Sequence, residues 1–326
     1  MARLRGETNR TLSSAASLRL RAAWLYFNQK MTQKEIGDRL GVSRATVMRM
    51  LEEAQRRNEV QIWISEGIDE CIALAIELEK SFSLDEAVVV PTSQETDDPS
   101  RAVGAALGRF LSETVAENMT LGVGWGRTLT ASLDTFAPMR RDGVKVVSLL
   151  GGLIHPRHTN PVEYSWRLAS LMDAECYFFL APLIVDSIDT KRTLIEKCGL
   201  ETLIDIATKL DVAVISCGNV TREGASLARD FVTADELREL IAAGSVCDVM
   251  CNFLDAQGRT VDHPVNQRVM SVDLDTMGKA GHVVLATGGQ ERAGALRATM
   301  QRLDVNTLIT DEGAARALLD KGVPSQ

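Results

Sequence analysis

Between residues 31 and 56 the apolar positions fall into two short helical stripes separated by a glycine. Ile36 and Leu40 stand four apart in "MTQKEIGDRL", and Gly41 interrupts them. Val47, Met50, Leu51 and Ala54 then resume the spacing of one helix face. The boundaries are sharply marked. Thr32 and Glu35 spell a T-x-x-E capping box, and Ser43 is a strong N-cap residue. Met31 with Ile36, and Val42 with Val47, stand where hydrophobic staples form. The pattern predicts a helix over 33–40, a tight turn, and a second helix beginning after Ser43. Upstream, "SAASLRLRAAWLYFNQ" reads as a further helix that lays Leu20, Trp24 and Phe27 against this pair.

Farther along, the rhythm changes twice. "VQIWIS" (60–65) alternates like a short strand, and "DECIALAIELEKSF" (69–82) reads as a helix tying head to body. Its apolar face (Ile72, Ala75 and Ile76, with Glu79 at the edge) can serve either the body or a partner head. Then come short Val/Leu/Ile-rich runs: "EAVVVP", "MTLGVGWG", "VKVVSLLGG", "CYFFLAPL", "VAVISCG", "VMCNFLD", "HVVLATGG" and "TLITD". Helical patterns such as "PSRAVGAALGRFLSETVAEN" separate most of them. Strands that are apolar on both faces and alternate with helices predict a mainly parallel sheet covered by helices. The expected fold class is therefore α/β, with an N-terminal helix-turn-helix over 1–65 and a Rossmann-like α/β body over 66–326.

Charge sharpens this division. The chain of 326 residues carries a net −8. Residues 1–63 hold 12 Lys+Arg against 6 Asp+Glu, and the remainder holds 24 against 38. A head of +6 on a body of −14 points to a polyanion, double-stranded DNA, as the partner of the head alone. The second helix of a helix-turn-helix enters the major groove with its N-terminal half nearest the bases. Ser43 and Arg44 are placed there for phosphates, and Arg49 for a base edge or a deeper phosphate. Thr32, Gln33 and Thr46 complete the candidate DNA contacts.

Other classes recede. The longest apolar run, "YFFLAPLIV" (177–185), contains Pro182 and is far short of the roughly 20 residues that span a bilayer. No apolar segment follows the charged N-terminus, so no secretory signal is expected and the predicted location is cytoplasmic. The six cysteines form no C-x-x-C pair and lack neighbouring histidines, so they read as free thiols rather than a metal site.

The body's candidate chemistry lies where strands end in glycine: "GVGWGRT" (122–128), "LLGG" (149–152), "SCGN" (216–219) and "ATGGQER" (286–292). Ligands of open α/β sheets bind outside the carboxyl ends of the strands, and glycine there lets backbone N–H groups approach an anion. No cofactor fingerprint is present. G-x-G-x-x-G would need Gly at 127, which is Arg, and no GK[ST] follows.

The run "MTQKEIGDRLGVSRATVMRMLEEAQRRNEVQIWI" resembles the DNA-binding head of the SorC family of bacterial sugar-responsive transcriptional regulators, with Asn58 where Gly is usual. "LGVGWGRTL", "VVSLLGG", "LAPLIV", "DVMCNFLDAQGR", "ATGGQERAGALRA" and "LITDEGAARALL" resemble its effector domain, in the same order. The resemblance implies a fold like sugar-phosphate isomerases, assembly into homodimers or homotetramers, and a sugar, polyol or sugar phosphate at the strand ends. Carried over by position, the effector site comprises Gly124, Trp125, Gly126, Arg127, Thr128, Gly151, Gly152, Asp248, Gly288, Gly289 and Arg292. Three positions depart from the family pattern: Arg292 replaces Lys, Cys247 replaces Gly, and Ser216 replaces the first glycine of a loop.

The rival reading is a sugar-phosphate isomerase or deaminase. Such chemistry needs a placed acid and base. Asp248 is one candidate, and the four histidines (155, 158, 263, 282) form no evident partner for it. The expected role is regulation rather than catalysis.

Overall fold

The computed structural model describes residues 15–57, 59–60, 68–92, 98–155, 159–221 and 228–320. Asn58, His158 and most of the strand expected over 60–65 lie outside them. The chain forms two compact units, Met1–Ser65 and Glu66–Gln326.

The first unit contains α1 (Ala15–Phe27), α2 (Gln33–Leu40) and α3 (Arg44–Arg56). Local chemistry sets the boundaries of α2 and α3. The Thr32 amide donates to Glu35 Oε2 at 2.8 Å, and the Glu35 amide donates to Thr32 Oγ1 at 3.3 Å. Gly41 closes α2 at φ 69°, where a glycine has no Cβ penalty. Ser43 Oγ accepts from the Thr46 amide at 3.1 Å and starts α3. Ile36, Val47, Leu51 and Ala54 are buried together with Ala22, Ala23 and Leu25.

The face of α1 differs from expectation. Leu20 and Trp24 are 48% and 56% exposed, whereas Phe27, half-buried, packs against the core of the head as expected. The helix is apolar on more than one side, so periodicity alone leaves its rotation open. Arg19 settles it by pairing with Glu59, and the small Ala22 and Ala23 pack inward.

The second unit begins with α4 (Ile68–Phe82) and is built on ten strands. These are β1 (Glu86–Val90), β2 (Thr120–Val123), β3 (Lys145–Ser148), β4 (Glu175–Tyr177), β5 (Val212–Ile215), β6 (Cys217–Asn219), β7 (Ser245–Val249), β8 (Asn252–Asp255), β9 (His282–Ala286) and β10 (Thr307–Asp311). Seven form a wholly parallel sheet in the order β1-β10-β9-β5-β2-β3-β4. β5 and β10 are buried along their whole length, which is why they read as unbroken apolar runs. α5 (Ser100–Thr114) and α6 (Arg127–Ser132) pack on each other beside the sheet, where Gly104 and Gly108 permit the approach.

A second sheet was not foreseen. β6, β7 and β8 pair antiparallel, and the run "VMCNFLD" is broken by a hairpin turn. Met250 and Cys251 both take positive φ there, 52° and 59°. Neither of these two residues is the Gly or Asn that usually takes such a φ, so the turn is not announced in the sequence. The predicted strand over 176–183 also shrinks to three residues, since its continuation leaves the sheet.

Candidate functional site

β2 lies between β3 and β5. From β2 the chain runs outward through β3 and β4, whereas β5, β9, β10 and β1 lie on the other side. The sheet reverses its winding between β2 and β5, and a cleft opens there at the carboxyl ends, as the rule for open α/β sheets requires. Trp125, Gly126, Arg127 and Thr128 line it from β2, and Ser216, Cys217, Gly218 and Asn219 from the β5–β6 connection. Asp248, Met250 and Cys251 come from the small sheet, and Thr287 and Arg292 from beyond β9. Ser100 and Leu150 complete the wall.

Trp125 is a wedge rather than a lid. Its indole Nε1 donates to Thr159 Oγ1 at 2.6 Å, and its ring meets Phe231 edge-on at 6.3 Å. Gly126 has φ 152°, a conformation that side chains rarely adopt, and so turns the chain into α6. Arg127 Nη1 stands 3.5 Å from Asp98 Oδ2, and Arg292 Nη2 stands 3.6 Å from Glu291 Oε1. Neither ion pair is hydrogen-bonded, so the Arg127 guanidinium can turn to an incoming anion, whereas Arg292 Nη1 is already held by Gly288 O.

Asp248 keeps a window on the cleft and is otherwise enclosed. Burial pushes its carboxyl up to about 7, and the Cys251 amide, which donates to it, offsets only part of that rise. Gly218 lies opposite, where a Cβ would come within 3.1 Å of Asp248 Oδ2. Burial holds the neighbouring Cys247 and Cys251 thiols well above their ordinary range, so they are weak nucleophiles.

Of the expected effector residues, Trp125, Gly126, Arg127, Thr128, Asp248 and Arg292 meet in this cleft. The other glycines serve the framework. Gly124 donates its amide to Val214 O, Gly151 to Met270 O and Gly152 to Ala181 O, at 2.8, 2.8 and 2.9 Å. The Gly289 amide donates to Asp311 Oδ1 at 2.7 Å, and a Cβ on Gly288 would come within 2.8 Å of the same oxygen. Arg292 also donates to Gly288 O. Asp311 thus fills a turn that the sequence offered to a ligand. Pattern alone could not show this, because the occupant comes from a strand end about twenty residues away.

Neither His263 nor His282 lines the cleft. His263 caps the helix Pro264–Arg268 and meets Glu239 at 3.2 Å, and His282 Nε2 lies 2.8 Å from Thr307 Oγ1. Among the described residues, no His, Cys, Asp and Glu group could hold a metal. Nor is any helix among them long and apolar enough to cross a membrane.

In the first unit, Arg44 Nε donates to Gln33 Oε1 at 3.3 Å, joining the starts of α2 and α3. Thr32, Ser43 and Thr46 sit at the same end, with their hydroxyls engaged in capping. Arg49 is exposed on α3. Arg56 and Arg57 both donate to Glu53, and these bonds hold its carboxyl down at about 2. Positive charge at the C-terminal end of α3 is therefore matched locally, whereas Arg44 and Arg49 have no ion pair among the described residues.

Residues 66–320 match the family model described as "Putative sugar-binding domain", and residues 18–57 match "Sigma-70, region 4". The chain is 28% identical over 305 residues to the erythritol catabolism regulatory protein EryD of Brucella abortus, covering 93% of this chain and 96% of that one. It is 30% identical over 309 residues to the deoxyribonucleoside regulator of Bacillus subtilis, covering 93% and 97%. The full-length sorbitol operon regulator SorC of Klebsiella pneumoniae shares the fold, with a TM-score of 0.76, 23% identity, and coverage of 94% of this chain and all of that one.

Proposed function

This chain belongs to the SorC family of sugar-responsive transcriptional regulators, and we propose that its cleft holds the effector while α3 reads an operator. Binding of a sugar, a polyol or its phosphate at the switch point sets the affinity of the head for DNA. The observation that carries this reading is the convergence of two loosely paired arginines and a protonatable Asp248 in one cleft. Hydroxyl and amide side chains surround them: Ser100, Thr128, Ser216, Asn219 and Thr287. Arg127 and Arg292 suit an anion, and Asp248 can accept from or donate to the hydroxyls of a polyol.

In the head, Arg44 and Gln33 would meet phosphates at the entry to the groove, with the capped Thr32, Ser43 and Thr46 beside them. Arg49 would reach deeper. One such head reads only a half-site, so the working form is a homodimer or homotetramer in the cytoplasm. The role is regulatory rather than catalytic. What supports this reading is that the relatives EryD and the deoxyribonucleoside regulator are both named as regulators.

Calorimetric titration of the full chain with sugars, polyols and their phosphates tests the proposal. At least one should bind, and Asp248→Asn and Arg127→Ala should each weaken it. A ligand whose affinity ignores both substitutions would move the effector site elsewhere.

A further inference from the structure

Asp98 precedes the cleft's Ser100 by two residues and offers the arginine end a carboxylate of the chain's own. Its Oδ1 accepts from the Ser100 amide at 3.0 Å, at the first turn of the 15-residue α5. Its Oδ2 stands 3.5 Å from Arg127 Nη1. Burial alone would raise this carboxyl. The Ser100 hydroxyl and amide oppose that, followed by the charges of Arg127 and Arg292, and the group is held below its ordinary range. A helix start and two guanidinium groups thus act on one anion, and that anion belongs to the protein. Asp98 is nevertheless free to move outward, since its side chain is 47% exposed and its pairing with Arg127 is too long for a strong hydrogen bond.

We propose that Asp98 is a resident counter-anion that sets the charge selectivity of the cleft, because a phosphate reaches Arg127 only by displacing it. The inference rests on the reading of this cleft as the effector site and adds the residue that decides which anions enter. A phosphate between Arg127 and Arg292 would stand against the Asp98 carboxylate, and like charges so placed repel. The carboxylate must then swing away and give up its pairing with Arg127. That cost falls on every anion alike. Inorganic phosphate has only the arginine end to set against it, whereas a phosphorylated sugar adds contacts toward Asp248. An uncharged polyol need not displace Asp98 at all, since a carboxylate accepts hydrogen bonds from hydroxyls. Asp98 thereby discriminates against bare phosphate and favours ligands that carry hydroxyls.

The test is calorimetric titration of the full chain, wild type and Asp98→Asn, with inorganic phosphate as the probe. Asn keeps an acceptor for the Ser100 amide, so the melting temperature should hold. Asp98→Asn should tighten inorganic phosphate about threefold or more, the scale of one partly exposed charge pair. Any uncharged polyol that binds wild type should bind the variant nearly as well. Asp142→Asn removes the same charge from an exposed position before the amino end of β3, and it should tighten nothing. Unchanged or weaker phosphate binding in Asp98→Asn overturns the proposal, and so does an equal gain in Asp142→Asn. A sugar or polyol whose binding still responds to Asp248→Asn would in that case leave the effector cleft standing. Loss of that response as well would remove the cleft reading itself.

Discussion

Arg44 and Arg49 stand five residues apart on α3, yet their surroundings assign them different work. Arg44 leans on Gln33 at the helix start, so Arg44→Ala should weaken matched and mismatched operators about equally, as the loss of a phosphate contact does. Arg49 projects unpaired from an exposed position farther along the helix. Arg49→Ala should cost on the order of 1–3 kcal/mol on the matched operator and relax specificity at one position. Equal losses on every sequence would make it a second phosphate contact.

In the body, Asp248 carries a pH signature. Its carboxyl rises from the ordinary 3.8 to about 7, so between those values the native chain keeps a proton that the unfolded chain has released. Stability therefore falls as pH rises through that window, and the loss is complete above about 7. Asp248→Asn should melt higher than wild type near pH 8 and lose that advantage near pH 5. An advantage that did not vary with pH would mean that the carboxyl titrates normally. At Arg292, hydrogen bonds to a charged group are worth roughly 1.5–3 kcal/mol each. Arg292→Ala should weaken a phosphorylated effector about tenfold or more and leave an uncharged polyol nearly untouched. Because Arg292 also donates to Gly288 O, the melting temperatures must be compared, so that loss of the turn is not mistaken for loss of the anion contact.

Among the elements, those whose ends are set by neighbouring residues were legible in the sequence. Thr32, Glu35, Gly41 and Ser43 bound α2 and α3 through contacts three or four residues long, and α2 runs from Gln33 to Leu40, in agreement with the expected helix. Thr32→Ala should accordingly destabilise the head by about 1 kcal/mol, read as lost helicity on heating, with effector affinity unchanged. What depended on distant partners was not legible. The rotation of α1 is fixed by Glu59, about forty positions from Arg19. The hairpin at Met250–Cys251 rests on positive φ in residues that rarely announce it. The glycine turns looked alike in sequence. Only contacts with Met270, Ala181 and Asp311 decide that 151, 152 and 289 spend their amides on the framework, whereas 126 and 218 line the cleft.

Across the whole molecule, the basic and acidic halves coincide with the two compact units. Removing residues 1–65 should abolish operator binding and leave effector affinity in place. Operator binding by the intact chain should fall steeply with salt, since each arginine or lysine at the backbone releases counterions. Retention of operator binding by the truncated chain would misplace the interface. The cleft also joins two sheets that share no strand. Arg127 and Arg292 follow strands of the large parallel sheet, and Asp248 belongs to the small antiparallel one. A ligand long enough to engage both ends is a strut between them and can alter the angle at which they meet. A shorter one, such as inorganic phosphate, would occupy the arginine end alone. It should compete with the effector while leaving operator affinity where it stood, and so behave as an antagonist at a site it only half fills.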